Sequence, residues 1–155
     1  MGLDMYLKAK TFVSGYSWAE SDEQETYKAI VDAVSGNMVA DSETPTAEVA
    51  LTAAYWRKAN AIHGWFVRNV QDGVDECKEH YVSRDKLIEL QEACIAVLAE
   101  PDKASELLPV EQGFFFGTYE YDEWYFSYLR DTIDMIGKLL KTANNEWEFY
   151  YRSSW

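Results

Sequence analysis

Ala47-Glu-Val-Ala-Leu-Thr-Ala-Ala-Tyr55 and the segment after it, Trp56-Arg-Lys-Ala-Asn-Ala-Ile-His-Gly-Trp-Phe-Val-Arg-Asn-Val-Gln71, change hydrophobic period at their junction. In the first, Ala47, Val49, Leu51, Ala53 and Tyr55 alternate with their neighbours, the period of a strand with one buried face. In the second, Ala59, Ile62, Phe66 and Val70 fall on one side of a helix that Asp72-Gly73 ends. A strand followed directly by a helix, in a chain that repeats both signals elsewhere, sets the class as α+β.

Upstream, Leu3, Met5, Leu7 and Ala9 alternate with Asp4, Tyr6, Lys8 and Lys10, which predicts another half-buried strand. Ser21 as N-cap and Gly36 as stop bound a helix over 22–35 carrying Tyr27, Ile30, Val31 and Val34. Met38 to Thr46 reads as loop, closed by Pro45. Downstream, Ser83 caps a helix whose buried stripe is Leu87, Leu90, Cys94 and Val97, ending at Pro101, and 102–108 adds a short helical turn. Phe114-Phe-Phe116, enclosed by Gly113 and Gly117, reads as a buried strand. Asp122 caps a long helix to about Ala143 with Tyr125, Leu129, Ile133, Ile136 and Leu140 inward. Trp147, Phe149 and Tyr151 alternate as a last strand. The expectation is one domain over 1–155, a small, mostly antiparallel sheet of three or four strands packed with about four helices.

The chain has 155 residues, 48% of them hydrophobic and 26% charged. At this length a globule buries roughly 70% of its unfolded surface, enough for a core without staples. Fourteen Lys and Arg against 27 Asp and Glu give −13, which repels a nucleic-acid backbone and excludes broad binding to one. Two cysteines cannot build a disulfide scaffold, so a reducing compartment is expected. The start lacks a basic, then apolar, leader, and Tyr6 stands where a myristoylation motif wants Ser or Thr. No uncharged stretch approaches the ~20 residues of a membrane span. The expectation is a soluble, cytoplasmic protein with no membrane partner.

Charge is unevenly spread. No acid lies between Glu48 and Asp72, where Arg57, Lys58 and Arg68 give 23 residues a charge of +3 against −16 on the other 132. A cationic island in an acidic chain is a candidate anion site. Trp56, Asn60 and His63 follow at i, i+4 and i+7 on the expected helix, with Lys58 and Trp65 beside them. Aromatic face, amide, imidazole and guanidinium together can hold a nucleotide-like ligand. The ligand-binding candidates are Trp56, Arg57, Lys58, Asn60, His63, Trp65 and Trp124. The other reading makes Asn60 and His63 satisfied internal polar groups, Trp56 core, and the cations partners of nearby acids.

Nine of the 15 residues from Phe114 to Tyr128 are aromatic, as are five of the nine from Trp147 to Trp155. The run Tyr121 to Tyr128 is apolar nearly all round and is expected to be buried on more than one side. That excess predicts core plus a contact between copies in a homo-oligomer. Cys77-x-x-His80 has zinc half-site spacing, but no second pair matches it, so no metal and no cofactor is expected. Neither a nucleophile elbow nor a phosphate-cradling glycine loop is present, and no catalytic residue is assigned.

Three segments, Met1-Gly-Leu-Asp-Met-Tyr-Leu7, Tyr55-Trp-Arg-Lys-Ala-Asn-Ala-Ile-His-Gly-Trp-Phe66 and Gly113-Phe-Phe-Phe-Gly117 with Tyr121-Asp-Glu-Trp-Tyr125, resemble a family of small acidic proteins of tailed-phage genomes. The resemblance implies a context rather than a reaction: a phage accessory protein in the bacterial cytoplasm, of the kind that counters host defence. Joined to the island, it favours a non-catalytic protein that sequesters a small anionic molecule such as a cyclic nucleotide or ADP-ribose derivative. The alternative is an acidic inhibitor that occupies a basic, nucleic-acid-binding surface of a host protein through Glu20, Asp22, Glu23 and Glu25.

Overall fold

Leu3, Met5, Leu7 and Ala9 are all buried, so the alternating start of the chain is a strand with one face in the core. A computed structural model describes residues 2–36, 43–113, 117 and 120–155. The chain runs β1 (Asp4–Ser14), α1 (Ser21–Val34), β2 (Thr46–Arg57), α2 (Asn60–Asn69), β3 (His80–Val82) and α3 (Arg84–Ala99). A 3-10 turn at Pro101–Lys103, α4 (Ala104–Leu107), α5 (Glu123–Thr142) and β4 (Glu148–Ser154) follow. The strands form one antiparallel sheet in the order β2-β1-β4-β3, and the fold is α+β. Pairing of β3 with β4 sets His80 opposite Tyr151 and Val82 opposite Phe149. No helix among the described residues is long and apolar enough to cross a membrane.

The chain divides into two compact units, Met1–Ala9 with Thr52–Trp155, and Lys10–Leu51. The first, here called the body, holds the core. Phe66 is its hub: the ring stacks on Tyr151 with centroids 3.9 Å apart and meets Trp56 and Trp65 edge-on. Helix α3 packs along α5, burying Leu87, Leu90, Cys94 and Val97 from one side and Tyr125, Leu129, Thr132 and Ile136 from the other. Both helices start on the expected caps, Ser83 accepting from the Lys86 N–H and Asp122 from the Tyr125 N–H. At the far end of α5, Arg84 donates to the Ala143 carbonyl at 2.9 Å and lies over the Phe149 ring.

The second unit, here called the arm, comprises the outer parts of β1 and β2 with α1. Its helix is fastened locally. The Tyr27 ring lies against Gly15, the Gly15 N–H donates to the Pro45 carbonyl at 2.7 Å, and the Ser14 N–H donates to Glu23 at 2.7 Å.

Four expectations are corrected. Ser21 opens α1 but does not cap it; Glu20 is the N-cap residue and makes no side-chain cap bond. The helix after β2 begins at Asn60, so Trp56 and Arg57 belong to the strand, and the helical spacing of Trp56 with Asn60 and His63 does not exist. Lys58 breaks the strand, with φ +58°, its N–H held by the Leu3 carbonyl and its own carbonyl turned to the Asn60 N–H. The buried face of β2 is also not the expected one: Ala54 and Trp56 are inside, while Leu51 and Tyr55 are about half exposed. On β1, Tyr6 meets the Tyr55 ring and Lys8 donates to Thr52 Oγ1 at 2.7 Å, and along β2 the inward parity passes from Ala47 and Val49 to Ala54 and Trp56. Lastly, the Tyr121–Tyr128 run is not enclosed, since Trp124 is 68% exposed. The expected strand at Phe114–Phe116 and most of the Met38–Thr46 loop lie outside the described residues. β3, three residues long, is a strand the pattern did not predict.

Candidate functional site

The two cations at the end of β2 stand where the start of the chain, the end of β2 and the turn at Gly117 come together. Lys58 N–H donates to Leu3 O at 2.8 Å. Gly117 turns with φ +97° directly over it, so a Cβ there would sit 3.1 Å from Lys58 O, a contact closer than side chains ordinarily make. Asp4 accepts a short hydrogen bond from the Tyr55 phenol and lies 3.9 Å from Arg57 Nε. Residues far apart in sequence thus position one dipeptide, Arg57-Lys58.

That dipeptide borders a cleft of about 360 Å³ lined by Tyr55, Trp56, Arg57, Lys58, Tyr128, Asp131 and Met135. Its floor is rigid because Trp56 is buried and its indole N–H donates to Thr132 Oγ1 at 2.8 Å. Thr132 in turn donates to the Tyr128 carbonyl at 2.6 Å. The Arg57 side chain is 65% exposed, and no described carboxylate forms an ion pair with the Lys58 ammonium. Both phenols stay protonated well past neutrality. The bond to Asp4 raises the Tyr55 pKa, and burial beside Asp122 and Asp131 raises that of Tyr128. The cleft therefore offers two cations, the Tyr128 phenol as donor, the Tyr55 oxygen as acceptor and one carboxylate on an apolar floor.

Of the seven candidates, the structure brings Trp56, Arg57 and Lys58 to this cleft. Asn60, His63 and Trp65 are buried on α2. Trp124 projects from α5 one turn before Tyr128 and is not among the lining residues. The third cation of the island, Arg68, pairs with Glu111. Sequence reasoning missed Tyr128, Asp131 and Met135. They fall one residue ahead of the buried positions Leu129, Thr132 and Ile136, so they flank the stripe, a signal the helical period contains.

His63 closes a different network. The buried Tyr151 hydroxyl is 2.7 Å from Nδ1, and Asp75 Oδ2 is 3.1 Å from Nε2. Burial pushes the Tyr151 phenol well above its ordinary range, with the Asp75 charge adding to it. A protonated phenol donates to Nδ1, which leaves the ring hydrogen on Nε2. Trp155 Nε1 donates to the other oxygen of Asp75 at 3.2 Å. The network fastens α2, the segment after it and β4 together, with the imidazole and phenol sealed from solvent. Cys77 is exposed, and His80 Nε2 faces Glu76 at 3.0 Å. No group of three or more His, Cys, Asp or Glu among the described residues is placed to hold a metal ion.

The fold and cleft define a small α+β protein with a cationic, tyrosine-lined cleft. No known protein family, curated protein or solved structure matches the chain.

Proposed function

We propose that this chain is a phage accessory protein that binds and sequesters a small anionic, nucleotide-type molecule without turning it over. The observation that carries the reading is the cleft itself: Arg57 and Lys58 beside Tyr55 and Tyr128 on the Trp56 floor, in a volume within the usual range for small-molecule sites. Arg57 and Lys58 contact phosphate, the Tyr128 phenol donates to a phosphate or ribose oxygen, Tyr55, whose proton is held by Asp4, accepts from a ligand hydroxyl, and Asp131 accepts from a hydroxyl or amino group. Asn60, His63 and Trp65 support the floor from behind and do not touch ligand. Trp124 is not among the residues that line the cleft.

A thermal-shift screen against cyclic oligonucleotides, cyclic ADP-ribose isomers and plain nucleotides tests this. A ligand at 100 times its Kd stabilises the fold by about 2.7 kcal/mol, several degrees in Tm. The decisive variant is Lys58→Asn. Asparagine tolerates the left-handed backbone at this position, so the unliganded protein keeps its Tm while the ligand shift is lost. A screen in which no anion raises Tm, or a Lys58→Asn protein that responds like the wild type, overturns the proposal.

A further inference from the structure

The described part of the arm has secondary structure but no interior. Among its described residues, 10–36 and 43–51, not one is buried, and Phe12, Trp18, Val34 and Leu51 are between 54% and 78% exposed. Its most exposed large side chain is Trp18, in the turn between β1 and α1. The indole is held in place by stacking on Tyr16, centroids 5.0 Å apart and planes 14° from parallel. A pre-ordered indole left in water is the kind of residue that anchors an interface, because little conformational freedom is lost when it is covered.

Charge says what covers it. The arm has two lysines against eight Asp and Glu, a net −6, which leaves −7 for the body. A second copy would set acid against acid on either unit, and a nucleic acid would do the same. The occupant must bring cations. Glu20, Asp22, Glu23 and Glu25 follow Trp18 within seven residues. A guanidinium satisfies both features, stacking on an indole face while bonding neighbouring carboxylates with its fork of N–H groups, whereas an ammonium does less of each.

We propose that the Tyr16–Trp18 turn and the adjoining half of α1 form a docking face for an arginine-rich surface of another protein, with Trp18 as the anchor. The proposal is independent of the cleft, which lies wholly in the body.

The probe is a short arginine-rich peptide, compared with its Lys-for-Arg counterpart, titrated into the intact protein at low and physiological salt. The arginine peptide binds more tightly, and its affinity falls with salt. Trp18→Ala weakens it roughly tenfold, and Trp18→Phe, which keeps a ring, recovers most of the loss. A Glu20→Gln, Asp22→Asn, Glu25→Gln variant binds more weakly and with a shallower salt dependence; Glu23 is spared because it holds Ser14. The proposal fails if Trp18→Ala binds like the wild type, or if the lysine peptide binds as well as the arginine one. It fails equally if sedimentation shows a dimer that Trp18→Ala abolishes, which would make a second copy the occupant.

Discussion

The body and the arm use the same local signals and reach opposite ends. In α3, apolar residues at helical spacing become Leu87, Leu90, Cys94 and Val97, all with no exposed surface. In α1, the same spacing yields Tyr27, Ile30 and Val31 only half-buried and Val34 exposed. Periodicity states which side of an element is apolar. It does not state whether the molecule has enough facing surface to cover it. The body has α5 to lay against α3; within the arm, α1 is held through Tyr27 on Gly15 and Glu23 on Ser14, and no described side chain there is enclosed. Helix and sheet therefore form in both units, but in the arm the apolar face stays available.

The comparison is easiest to break at its extremes. Phe66→Ala removes the ring that stacks on Tyr151 and touches two tryptophans, so it should cost about 3–5 kcal/mol in denaturant unfolding. Trp18→Ala removes a larger ring, yet at 78% exposure it should cost no more than about 0.5 kcal/mol. Similar costs for the two would mean that the arm has a core after all.

Alkaline pH probes the body. Burial raises the Cys94 thiol to about 12 from an ordinary 9.0, and it raises the Tyr125 and Tyr151 phenols too. These groups keep their protons when folded and release them when unfolded. The folded state thus binds more protons than the unfolded above pH 9, first through Cys94 and then, past 10, through the tyrosines. Stability is full below that window and falls as pH rises through it, by up to roughly 1.4 kcal/mol per pH unit for each such group. Thermal melts from pH 8 upward should show the decline, and Tyr151→Phe should make it shallower above 10. An unchanged slope in that variant would mean that Tyr151 ionises in the folded protein.

The elements were largely legible before the structure, because caps and stripes are local. Ser83 and Asp122 sit where a helix start wants an acceptor, and every expected buried residue of α3 is buried. The face of β2 was not legible. The half-buried positions Ala47 and Val49 give way to Ala54 and Trp56, so the alternation shifts by one along β2, which sequence spacing cannot reveal, and Trp56 is turned inward instead of Tyr55. The candidate site was half legible for a related reason. Its cations announce themselves by the absence of acids around them. Their partners across the cleft, Tyr128, Asp131 and Met135, are 70 residues or more away and become neighbours only through the packing of α5. His63, Asn60 and Trp65 belong to the same polar-aromatic segment but point inward, because the chain reverses at Lys58 before α2 begins.

The gentlest test concerns whether the arm can fail by itself. Gly15 has no room for a side chain, since a Cβ would fall on the Tyr27 ring, and its backbone is tied to Pro45 from the other side. In Gly15→Ala the ring must leave, and with it the main anchor between α1 and the strand. Overpacking of this kind costs about 1–3 kcal/mol, here drawn only from the arm. Amide exchange in α1 should therefore speed up by roughly tenfold or more, at one factor of ten per 1.4 kcal/mol. Exchange in α3 and α5, and the midpoint of the main thermal transition, should stay where they were. If the core amides accelerate by the same factor, the two units unfold as one and the arm is part of the body's cooperative structure. If only α1 responds, the arm is a locally folded appendage whose exposed face is free to be ordered by whatever binds it.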